Sequence, residues 1–202
     1  MASSWERLAF VTQGSSASTF STGTFTAKTH LRVIAHTLQD SPVEADLRFN
    51  NDSGSNYCVR ISINGGSDLA QYNTLNRIYL GGINPSGGAA SSMTQIDIMN
   101  IANKEKLVLV HQHHSAGQGA SYAPTRRETV AKWTNTSDQI TRIDLVDLGV
   151  SAEIDAGSTI TVWGADDGVA YYPNLSNGTL FEESDTGKHY MFDGTSTWNE
   201  IV

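Results

Sequence analysis

One cysteine in 202 residues, Cys58, excludes an internal disulfide framework and a zinc site built from several thiolates. That usage fits assembly in a reducing cytoplasm, with Cys58 an incidental small apolar residue on a strand. No apolar run approaches the roughly 18 residues of a membrane span, so no membrane partner is expected. The opening Met-Ala-Ser-Ser-Trp-Glu-Arg lacks the apolar core of a secretory signal, which predicts a soluble chain that leaves a cell, if at all, by another route. Cations are few: Lys and Arg number 13 against 21 Asp and Glu, a net charge of −8. From Asp144 onward there are eleven acids and only Lys188 to oppose them, so this third repels phosphate and no nucleic-acid partner is expected. Helical periodicity sustained over three turns is missing. So are the Gly-x-Ser-x-Gly elbow and the glycine-rich phosphate loops, and no catalytic residue and no cofactor is assigned.

What the chain has is period-two alternation. In Val43 to Phe49 the odd positions are apolar and the even ones charged, the pattern of a half-buried strand. Tyr57 to Ile63 keeps the apolar odd positions, and the turn cluster 50–56 between the two predicts a β-hairpin. Further strands are expected at 5–11, 31–38, 95–101, 107–113, 128–133, 139–145 and 159–164. Gly, Ser, Thr and Asn-rich turns between them point to an all-β fold, an antiparallel β-sandwich of jelly-roll type over residues 1–164. The core should hold Leu31, Val33, Val43, Ala45, Leu47, Phe49, Val59, Ile61, Ile143, Ile160 and Val162. Residues 165–202 are expected to form a linker and a small β-meander, its turns at Ser184–Gly187 and Asp193–Ser196.

Three constellations merit a functional reading. His111 and His113 would share a strand face about 7 Å apart, a spacing two metal ligands can span, although strand-end histidines need no metal. Trp163, Tyr171 and Tyr172 offer aromatic faces for glycan contact, or else core packing. Leu180, Phe181, Tyr190, Phe192, Trp198 and Ile201 crowd into the meander, too small to bury them alone, and mark an assembly element. Glu182 and Glu183, adjacent on a strand, point to opposite faces and cannot work as an acid/base pair.

Three stretches resemble segments of structural proteins of marine tailed bacteriophages: Leu47 to Tyr57, Trp133 to Asp144, and Gly157 to Gly164, followed in the same order by the meander. The resemblance implies a non-enzymatic virion component with a jelly-roll-like domain. It would be made in the host cytoplasm, most plausibly as a capsid decoration or a head- or tail-associated surface protein. It further implies self-association, as a homotrimer, and contact with other virion proteins. The alternative is a carbohydrate-binding module of a tail or fibre that recognises a host surface glycan.

Overall fold

The computed structural model describes residues 5–39, 45–68, 70–81, 90–115, 119–148, 154–166, 177–183, 185–194 and 197–201. The described residues are all-β, and the chain divides into two compact units, Glu6–Ala165 and the residues 1–5 with 166–202.

In the larger unit the strands are β1 (Glu6–Thr12), β2 (Thr19–Thr24), β3 (His30–Gln39), β4 (Asp46–Phe49), β5 (Tyr57–Ile63), β6 (Ala70–Leu75), β7 (Ala90–Met99), β8 (Lys106–His114), β9 (Thr125–Trp133), β10 (Arg142–Val146) and β11 (Thr159–Ala165). Eight of them form one antiparallel sheet, ordered β1-β11-β3-β7-β8-β9-β5-β6, and β2-β10-β4 form a second. The inner faces meet in one core that joins Leu31, Val33, Ile96, Val108 and Ile160 of the large sheet to Phe20, Leu47, Phe49, Ile143 and Leu145 of the small one. This is a lopsided, jelly-roll-like β-sandwich. Every expected core position among the described residues is buried; Val43 lies outside them.

The hairpin expected from 43–63 does not form. β4 pairs with β10 in the small sheet, and β5 pairs with β6 and β9 in the large one. The connection arches from one sheet to the other. Asn50 and Asn51 have φ of 52° and 57°, the left-handed conformation that asparagine tolerates better than most residues. The Asn50 side chain then accepts the amides of Thr141 and Arg142 and donates to the Gln139 carbonyl, which fastens the arch to the start of β10. Nor does alternation hold at Asp46, which is fully buried, ion-paired to Arg77, and accepts the Leu80 amide at 2.7 Å.

Two of the three segments quoted for the resemblance, Leu47 to Tyr57 and Trp133 to Asp144, meet at this arch. Asp52 accepts the Trp133 indole N–H at 2.7 Å, the Asn56 amide and the Gly54 N–H, while the rings of Phe49, Tyr57 and Trp133 lie 6.0–6.4 Å apart. Burial works against the Asp52 charge, yet the bonds from Asn56, Trp133 and Gly54 prevail and hold the carboxyl below the usual carboxylate range. In the third segment, a Cβ at Gly164 would lie 2.5 Å from Leu8 Cδ1 and 2.6 Å from Lys28 Cγ, so only glycine lets this part of β11 sit there. The quoted residues thus perform structural work.

The smaller unit is a three-stranded antiparallel meander of β12 (Leu180–Glu183), β13 (Lys188–Phe192) and β14 (Trp198–Ile201). Gly187 and Gly194 take φ of 68° and 82° in its two turns.

Candidate functional site

The large sheet buries one face, and its other face mixes exposed apolar side chains with charged ones. β8 begins Lys106-Leu-Val-Leu-Val110, apolar at both parities from Leu107 on. Val108 and Val110 face the core while Leu107 and Leu109 face outward, Leu107 with 59% exposure. The strand register builds rows across the outer face. Arg32, Asp97, Leu109, Val130 and Arg60 form one row, and Met99, Leu107, Lys132 and Cys58 the next. Phe10, Ile34 and Met93 add exposed apolar area on β1, β3 and β7. A shallow depression here is lined by Cys58, Arg60, Leu107, Val130 and Lys132. The signal for this surface was present in the sequence. A strand apolar on both parities has no aqueous face, whereas strict alternation has one.

Ion pairs surround the apolar positions. Arg32 pairs with Asp97 at 2.6 Å, Arg60 with Asp68 at 2.8 Å, and Lys132 with Glu105 at 2.8 Å, while Arg126 lies 3.7 Å from Glu128. The carboxyl of Glu105 raises the Lys132 pKa by hydrogen bond and charge.

His111 and His113 sit side by side on this outer face. His111 is flanked across the ladders by Gln95 and Glu128, and His113 by Met93 and Arg126. No group of three or more His, Cys, Asp or Glu suited to a metal ion occurs among the described residues. The inward histidine is His114, which sequence reasoning did not single out. It lies among Thr37, Ser92, Thr94 and Gln112 at one polar end of the sandwich interior. Burial, and then the charge of Arg127, push its pKa down. Its Nε2 makes no hydrogen bond, nor do Gln39 Nε2 and Gln112 Oε1. Orphaned buried polar atoms make this end of the core the costly one.

Trp163 lies on the outer face of β11, half-buried, opposite Arg32 on one side and Arg7 on the other. Tyr171 and Tyr172 lie outside the described residues.

The meander divides its six assembly candidates between two faces. Phe181, Tyr190, Phe192 and Trp198 share one face and pack together, with ring centroids 5.2–6.3 Å apart. Leu180 and Ile201 share the other with Met191, Asn199, Glu182 and His189. Leu180 is 67% exposed and Met191 39%, while Phe192 is buried. Glu182 faces His189 at 3.7 Å, and Glu183 stands across from Lys188 on the opposite face. The charged residues of this sheet and its turns are mostly acidic: Glu182, Glu183, Asp185, Asp193 and Glu200 against Lys188. No family model, curated protein or solved structure matches this chain.

Proposed function

We propose that the chain is a non-enzymatic structural protein that works by self-assembly. On the resemblance of its three segments and meander, it is a virion surface component of a tailed phage, a capsid decoration or a head- or tail-associated protein. The observation that carries the assembly reading is the meander with apolar side chains on both faces. One face packs its aromatic rings together yet leaves Phe181 52% exposed, and the other leaves Leu180 and Met191 in solvent. Covering one large apolar side chain contributes roughly 1.5–3 kcal/mol, so neighbouring copies gain by meeting there. A homotrimer is the expected form, and other virion proteins are the further partners. Removing residues 171–202 and measuring mass by light scattering tests the meander's part. The shortened chain is expected to lose the oligomeric state of the full one, and an unchanged state contradicts it. Mass spectrometry of purified virions then reads the copy number. Copies on the scale of the capsid lattice mean decoration, a handful mean tail or fibre, and none refutes the virion assignment.

A second reading rests on Trp163, an aromatic side chain held on the outer sheet face between Arg7 and Arg32. It makes the chain a receptor-recognition module for a host surface glycan. Saturable binding on a glycan array, lost in Trp163→Ala, is the outcome that favours it over pure assembly. An array without binding removes it.

A further inference from the structure

The edge strand β1 carries a bulge between Arg7 and Ala9, and a bulge re-aims the side chains beside it. Arg7 stands opposite Trp163 and Phe10 opposite Thr161, both outward positions of β11, so Arg7 and Phe10 share the outer face. On the other side of β11 stand Arg32 and Ile34 of β3, and beyond them Asp97 and Gln95 of β7. Side chains opposed on neighbouring strands start about 4.5–5.5 Å apart, so Arg7, Trp163 and Arg32 together span about 10 Å.

The polar groups of this corner are unevenly used. Asp97 accepts Arg32 at 2.6 Å and the Gln95 amide at 3.3 Å, a fixed ion pair. Glu6, next to Arg7 in sequence, is taken by Lys28 at 2.6 Å. Arg7 is left without a carboxylate partner among the described residues. Its guanidinium carbon lies 5.8 Å from the centre of the Phe10 ring, which is 55% exposed. Trp163 is open in the same way. Among the described residues no ring and no guanidinium stacks on it, and its indole N–H donates no hydrogen bond.

We infer that this corner of the sheet binds a sugar acid, with the sugar ring on Trp163 and its carboxylate on Arg7. This rests on the glycan-recognition reading above and names the charge of the ligand. A sugar shows C–H groups on one ring face and hydroxyls at its edge, and an aromatic ring bordered by polar groups complements both. The Arg32–Asp97 pair borders Trp163 with a donor and an acceptor for those hydroxyls. A neutral sugar would use Trp163 and leave Arg7 idle. A carboxylate supplies the planar pair of oxygens that a guanidinium fork matches. Contact with Phe10 restrains the Arg7 guanidinium before binding, so less freedom is lost when the ligand arrives.

The full chain is tested on a glycan array that holds neutral, carboxylated and sulfated members. Binding is expected on carboxylated members. Esterifying the carboxyl of a bound glycan is expected to weaken it about tenfold or more, the effect of losing a charge-assisted hydrogen bond. Arg7→Gln is expected to lose a similar factor, and Trp163→Ala to lose binding altogether. Equal binding of neutral glycans, undiminished by Arg7→Gln, overturns the inference and leaves the glycan reading standing. Binding confined to sulfated members that lack a carboxyl overturns it in the same way. Carboxylate-dependent binding that Arg7→Gln leaves unchanged puts the anion elsewhere and overturns the site. No binding on any member overturns both the inference and the reading beneath it. The esterification arm uses the wild-type chain, so it decides the ligand's charge even where a substituted chain fails to fold.

Discussion

Single buried polar groups set the energetics of this sandwich. Asn100 is fully buried between the sheets' loops, donating to the Lys28 and Ile140 carbonyls and accepting the Ile140 amide at 2.7 Å. Asn100→Ala orphans these groups together, and a loss of about 3 kcal/mol in urea unfolding is expected, since each orphaned buried group costs about 1–3 kcal/mol. A loss within a few tenths of a kcal/mol contradicts the role. His114 makes the stability depend on pH. Its folded pKa is depressed below the ordinary 6.5, so between these values the unfolded chain binds the extra proton. The neutral form is favoured in the fold. Stability is therefore whole above about pH 6.5 and declines as pH falls toward the folded value. His114→Phe should flatten the urea midpoint over pH 7.5 to 5 relative to wild type, and a midpoint slope unchanged by the substitution assigns it elsewhere. Asp52 acts lower on the scale. Its carboxyl is held below the usual 3.8, so its contribution persists above that value and disappears only as pH falls through the folded pKa.

At the scale of the elements, Asp46 shows where alternation stops being a guide. Its position in Val43 to Phe49 reads as solvent-facing, yet the side chain turns inside to meet Arg77 and the Leu80 amide. Asp46→Ala takes the buried carboxylate away from Arg77 and removes the Leu80 acceptor. The expected cost is about 3–5 kcal/mol, read from the shift in urea midpoint. Core positions on β3, β4, β5, β10 and β11 were legible because each strand keeps one apolar parity. β2 was not, because Thr19-Phe-Ser-Thr-Gly-Thr24 is mostly hydroxyl and glycine, which looks like a turn until it pairs with β10. Pairing partners were harder still. A seven-residue turn cluster between two alternating runs fits a hairpin and an arch equally. Side-chain bonds from Asn50 to Thr141 and Arg142, about 90 residues away in sequence, settle which one forms. The outer sheet face was written in β8 as Leu107 to Val110, where both parities are apolar.

For the whole molecule, the exposed apolar side chains of the large sheet and of the meander give the account its functional content. The meander's six apolar residues were readable as an assembly element from their density, but their division into an aromatic face and a Leu180–Ile201 face depends on register, which the sequence alone leaves open. The claim that this chain works by assembling with itself is tested most directly by the mass of the intact protein in solution, followed by light scattering as concentration is raised. The account predicts a mass that rises to a fixed multiple of the chain, threefold for the expected homotrimer. A chain that keeps the mass of a single copy at every concentration contradicts it.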